Sequence, residues 1–125
     1  MNVNAKLFGF VFIFITLLGT VMGQLSIKKG LLKDAPGEFQ LFHTLWKGFT
    51  NPLVILGLVF ACIAASSWIL ALSRMPLSYA YPFLSLSFPI VVILSSRIFH
   101  EPISSKTIVG LGFIILGLII GSGKL

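Results

Sequence analysis

Four apolar runs, at residues 7–27, 53–73, 77–99 and 108–121, fill most of the 125-residue chain and dictate what it can fold into. A membrane-spanning helix takes about 20 predominantly apolar residues, so each run is read as one span. The fourth reaches that length when Ile103 to Lys106 supply its first turn, with Pro102 at the helix start, where its missing N–H is tolerated. A soluble fold is excluded by bulk. With 57% hydrophobic residues, 10% charged residues and a mean hydropathy of +1.06, the chain has more apolar surface than one small core could hide. The expectation is an all-α integral membrane protein, a single domain with four transmembrane helices near residues 6–29, 52–74, 76–99 and 102–122. The first run exceeds a signal-peptide h-region and no small-x-small cleavage pattern follows it, so it is expected to stay in the chain.

Only the first connection is sizeable. Its second half, EFQLFHTLWKGF, sets Phe39, Phe42, Trp46 and Phe49 three and four residues apart. That spacing predicts an amphipathic helix near residues 37–49, lying at the membrane interface with Trp46 as an anchor. The short connections Ser73 to Pro76 and His100 to Pro102 make consecutive helices antiparallel neighbours. Lys28, Lys29, Lys33, Lys47, Arg97 and Lys106 fall at one end of the spans and Lys6, Arg74 and Lys124 at the other, a bias that favours a cytoplasmic first connection. The net charge of +6 sets nine Lys and Arg against Asp34, Glu38 and Glu101, and its position at helix ends points to anionic head groups or an anionic substrate. Nucleic acid fits poorly, since no basic domain lies outside the membrane. Cys62 has no partner for a disulfide or zinc site and is expected as a small buried apolar residue.

Polar residues inside the spans carry the functional reading. In the first run Thr16, Thr20, Gln24 and Lys28 recur every fourth residue, a stripe that winds by about 40° per step on an ideal helix. An amide in hydrocarbon needs partners, so Gln24 is expected to face protein or a polar cavity, with Gly19 and Gly23 admitting another helix beside it. The alternative is that the threonines bond their own backbone and Gln24 only holds helices together. The third run begins PLSYAYPFLSLSFP. On a helical wheel Ser78, Ser85 and Ser96 fall within roughly 20° of one another, with Tyr81 on the same broad face. Pro82 and Pro89 cannot donate to the carbonyls of Ser78 and Ser85, so kinks and hydroxyls coincide. That suits a cavity wall, the other reading being serines as contacts between helices.

Small residues mark two packing seams. Gly57, Ala61 and Ala65 form one, and Gly110, Gly117 and Gly121 form the other, which ends in a GxxxG pattern and serves either the monomer or a dimer. No catalytic constellation is present: His43 and His100 sit at membrane boundaries without metal-ligand spacing or a nucleophile beside them. Glu101, next to Pro102, suits a helix N-terminus as a structural cap. Neither an enzyme nor a cofactor or metal site is expected.

GQLSIKKG in the first helix, ASSW in the second, and SYAYPFLSLSFPIVV followed by RIFHEPIS around the third carry a resemblance over nearly all of the chain. They resemble the small multidrug resistance branch of the drug/metabolite transporter superfamily, its lipid-flipping members above all. The resemblance implies a four-helix subunit of the bacterial inner membrane that pairs with a second copy or a sister subunit. Its implied function is to move a polyprenyl-phosphate-linked sugar, of the undecaprenyl-phosphate aminoarabinose kind used in lipopolysaccharide modification, from the cytoplasmic to the periplasmic leaflet. Matching motifs bring over Gln24 and Lys28 from GQxxxK, Tyr81, Pro82 and Ser85 from AYPxLS, and Glu101 and Pro102 from HEP.

The drug-exporting relatives hold an acidic residue midway along the first helix, where alignment on the following Lys puts Thr20. No carboxylate occurs in the first three runs, so the alternative function, proton-coupled export of cationic drugs, lacks its central group. The expected arrangement is a groove open sideways to lipid, with the apolar tail left in the bilayer. Its expected substrate-binding residues are Thr16, Thr20, Gln24, Lys28, Ser78, Tyr81, Ser85 and Arg97, the neutral groups for the sugar and Lys28 or Arg97 for the phosphodiester. Pro82, Pro89, Glu101 and Pro102 are expected to shape helix ends and kinks, and Gly110, Gly117 and Gly121 to form a dimer interface. Two competing readings stand beside these: Lys28 and Lys29 as plain topology signals, and the chain as a non-transporting assembly subunit.

Overall fold

No proline occurs before Pro36, and nothing in the first apolar run interrupts a helix. The computed structural model describes residues 2–33 and 41–122, and in it this run forms one long helix, α1 (Val3–Lys33). It is followed by α2 (Leu41–Thr50), α3 (Pro52–Leu72), α4 (Leu77–Leu84), α5 (Ser87–Phe99) and α6 (Ser105–Ser122). No strand occurs among the described residues. α1, α3, the α4–α5 segment and α6 are each long and apolar enough to cross a membrane, so the chain is an all-α, multi-pass membrane protein. Residues 37–40 of the expected interfacial segment lie outside the described residues. Within α2, Phe42 and Trp46 are exposed, an apolar edge available to lipid.

Asn51 starts α3. Its Oδ1 accepts from the Leu53 amide at 2.9 Å, Pro52 occupies the first helical position, and its Nδ2 donates to the Gly30 carbonyl at 3.1 Å. The start of α3 is thereby tied to the end of α1, and the two helices pack along most of their length. Glycine permits the contact. A Cβ on Gly57 would stand 2.5 Å from Ile27 Cγ1 and 2.7 Å from the Gly23 carbonyl oxygen, and one on Gly19 would stand 3.0 Å from Ala64 Cβ. The close approach expected at Gly19 and Gly23 is therefore present, but the seam expected on α3 divides. At 100° per residue Ala64 returns to within about 20° of Gly57, whereas Ala65 lies about 80° away, so Gly57 and Ala64 meet α1 and Ala61 and Ala65 turn aside. Cys62, expected to be buried, is exposed on the outer side of α3, where lipid supplies the apolar surroundings.

At the other end of the bundle Ile13, Leu17, Ala71, Met75 and Ala80 form the buried core, flanked by Phe10 set edge-on to Phe83 at 5.3 Å. The kinked third span is two helices, and the break falls at Ser85 and Leu86 rather than at a proline. α4 runs through Pro82, while Pro89 sits in the first turn of α5, where no N–H donor is needed. The Ser85 carbonyl, expected to lack a donor because of Pro89, accepts instead from the Phe88 amide at 3.1 Å. The Leu86 amide turns to the Phe83 carbonyl, and the Pro82 carbonyl accepts from the Ser85 hydroxyl at 2.5 Å. A hydroxyl thus repairs the gap left by the break.

α5 ends at His100, whose left-handed backbone (φ 55°) turns the chain outward. Pro102 disfavours a helical conformation at the residue before it, and α6 begins only at Ser105. Glu101 and Pro102 accordingly lie in the connection and do not open the fourth span as expected. Ser104 caps it, accepting from the Thr107 amide at 3.2 Å. Among the described residues none of α6 is buried, and a Cβ at Gly110, Gly117 or Gly121 would meet none of them within 4 Å.

Candidate functional site

A cavity of about 500 Å³ lies between α1, α3 and the α4–α5 break. α1 contributes Thr16, Thr20 and Gln24, α3 contributes Ala61, Ala65 and Trp68, and the broken span contributes Tyr81, Ser85, Ser87 and Phe88. The helical period explains the α3 wall, since Ala61, Ala65 and Trp68 follow the i, i+4, i+7 spacing of one face. Small residues there leave the volume, and Trp68 closes one side with its ring edge-on to Tyr81 at 5.4 Å and 85°. The lining is largely apolar with a few polar groups and no ionisable acid or base other than the Tyr81 phenol.

The polar groups differ in what they have left to offer. Thr16 is buried, and its hydroxyl lies 2.8 Å from the Phe12 carbonyl and 3.3 Å from that of Ala64, so it holds α1 to α3. For this residue the backbone-bonding alternative describes the structure. Ser85 spends its hydrogen on Pro82. Among the described residues neither Thr20 nor Gln24 has a side-chain hydrogen-bond partner, which leaves a hydroxyl and an amide available to a ligand.

Ser78 and Arg97 are exposed and do not line the cavity. Ser96 donates to the Glu101 carbonyl at 2.9 Å. The break at Ser85–Leu86 resets the phase of Ser96 on α5, whereas Ser78 lies before the break, about two turns from Ser85 at the far end of α4. Trp68, Ser87 and Phe88 were not among the expected site residues. The small-small-Trp spacing on α3 was the available signal for the first of them.

Lys28 lies one turn beyond Gln24 on α1, outside the lining, and its ammonium group forms an ion pair with the Glu101 carboxylate. The Phe99 ring centroid is 5.5 Å from Lys28 Nζ, a cation–π contact on the same group. The hydrogen bond from Lys28 lowers the Glu101 pKa, aided by the lysine charge and the Ser95 hydroxyl and opposed by desolvation. A lowered carboxylate pKa means that the pair's contribution to stability is present above the ordinary carboxylate pKa and is lost as pH falls through the lowered one. Both side chains are about four-tenths exposed, at 42% and 41%, so water screens the bond. The site is therefore a neutral hydrogen-bonding cavity with a cation one turn away, and that cation already holds an anion.

No protein-family model and no solved structure matches the chain. It is similar to the probable 4-amino-4-deoxy-L-arabinose-phosphoundecaprenol flippase subunit ArnE of Escherichia fergusonii, at 36% identity over 101 residues, 81% of this chain and 85% of that protein. The proteins of the same name from Escherichia coli O81 and Shigella flexneri serotype 5b are each 36% identical over 110 residues, 86% of this chain and 90% of theirs. The similarity extends over more than four-fifths of the length of both partners. The chain belongs to the ArnE family of flippase subunits.

Proposed function

We propose that the chain is a subunit of a flippase that carries a polyprenyl-phosphate-linked sugar, of the 4-amino-4-deoxy-L-arabinose-phosphoundecaprenol type, between the leaflets of the bacterial inner membrane. The direction is from the cytoplasmic to the periplasmic side. The observation that carries this reading is the cavity. Its available hydrogen-bonding groups, Thr20 and Gln24, are neutral and suit sugar hydroxyls, while Lys28 one turn away suits the single negative charge of a phosphodiester. The prenyl tail needs no cavity, because it stays in the hydrocarbon. Arg97, exposed on α5, is the second candidate for the phosphate. Native mass spectrometry of protein purified from cells that make such a lipid is expected to show it bound. Recovery of ordinary phospholipids alone would overturn the reading.

The same reading includes a second subunit, either another copy or a sister chain, along Gly110, Gly117 and Gly121. What supports it is that α6 is apolar and these glycines have open space beside them. Gly117→Leu is expected to change the stability of the monomer by less than about 0.5 kcal/mol, the usual range for a site without contacts. It should nevertheless abolish crosslinked dimers in membranes. Loss of the folded monomer instead would show that the seam packs within the chain.

A further inference from the structure

The Lys28–Glu101 pair joins two residues 73 positions apart, and sugar binding does not account for it. Lys28 directly follows Ile27, which lines the cavity, and stands one turn past Gln24, which also does. A phosphodiester attached to a sugar held by Thr20 and Gln24 would find its nearest cation on α1 at Lys28, where the Glu101 carboxylate already sits. We propose that Glu101 is an intrinsic competitor for the substrate's phosphate: its carboxylate occupies Lys28 in the empty protein, and an entering phosphodiester must exchange with it. The inference rests on the flippase reading and adds to it the residue that sets which head groups are admitted.

Three features favour exchange over a permanent clasp. A carboxylate and a phosphodiester each bring one negative charge and oxygen acceptors, so the swap leaves the charge at Lys28 balanced. The pair is half-exposed and therefore cheap to open. Each partner also keeps a contact that does not involve the other's charge. Phe99 stays beside the ammonium group, while the Ser96 hydroxyl on the Glu101 carbonyl, the left-handed His100 and the following Pro102 fix the backbone that presents the carboxylate. Exchange then acts as a filter. A neutral glycolipid brings no charge to replace the carboxylate, and a cation that drew Glu101 away would leave Lys28 without an anion. Opening the pair would also free the connection that leads into α6, a helix with no buried residue among those described.

The test uses the full chain in detergent with Trp46→Phe, so that Trp68 at the cavity reports binding of a synthetic farnesyl-phosphate-linked arabinose. Glu101→Gln removes the competing charge and is expected to bind this probe about tenfold more tightly than the parent, a gain in the range of one charge-assisted bond. Adding Lys28→Ala should erase the gain. A farnesyl arabinoside without phosphate should bind the two proteins alike. Matching thermal unfolding midpoints for parent and Glu101→Gln would establish that both are folded. Binding by the parent with no gain, or a loss, in Glu101→Gln overturns the exchange and leaves the flippase reading standing. Binding by neither protein overturns both.

Discussion

Lys28→Ala is expected to weaken binding of a polyprenyl phosphodiester by about 10- to 100-fold, the range of a hydrogen bond to a charged group. The loss has two parts. The substrate phosphate loses its cation, and Glu101, the one acidic side chain among the described residues, is left unpaired beside the place where a second anion must enter. Ser85→Ala is expected to cost much less, because a neutral hydroxyl makes the weaker kind of bond and the Ser85 hydrogen is already given to the Pro82 carbonyl. Lys28 also lies among the basic residues that orient the chain in the membrane, so the comparison requires equal abundance and topology checked with reporter fusions. Lys28→Arg keeps the charge for insertion while changing the hydrogen-bond geometry. Full affinity in correctly inserted Lys28→Ala protein would move the phosphate to Arg97.

The largest effect on stability is expected at Gly57. Its missing Cβ lets α3 lie against α1, and an added side chain would run into the Gly23 carbonyl and Ile27. The carbonyl is backbone and cannot step aside without separating the helices. In a bilayer, where lipid tails are as apolar as leucine, close packing is a main source of helix association. Gly57→Leu is therefore expected to destabilise the protein by at least the roughly 1–3 kcal/mol typical of overpacking. The measurement is the unfolding midpoint in a mixed-micelle denaturation series. Ala61→Leu, one turn along α3 but facing the cavity, should unfold near the parent midpoint while filling part of the ligand space. Equal midpoints for Gly57→Leu and the parent would refute the glycine-mediated contact.

Much of the polar lining of the cavity was legible because polar residues inside a span are costly and therefore conspicuous. Thr20, Gln24, Tyr81 and Ser85 stand out against hydrocarbon in the sequence, and all four line the cavity. Two of the departures share one cause. Placing Ser96 on one face with Ser78 and Ser85 assumed a straight helix, and placing Pro102 at a helix start assumed that the chain resumes helix at once. In both cases a local backbone event, the break at Ser85–Leu86 and the left-handed turn at His100, changed the phase of everything after it. Trp68 was missed for another reason: an aromatic residue in an apolar run looks the same whether it faces lipid or a cavity.

The four spans and the α2 segment were set by the sequence alone, because hydropathy and helical periodicity sum over neighbouring residues and need no knowledge of distant ones. Which faces of those helices meet was decided only by the tertiary structure. Gly57 pairs with Gly23 and Ile27, Ala61 and Ala65 are left to the cavity, and the Gly110–Gly121 seam is uncovered by the described residues. Lys28 and Glu101 could be assigned to the same membrane boundary from the order of the spans. Their contact depends on how α1 stands against the α5–α6 connection, a relation between segments 73 residues apart that no local pattern encodes.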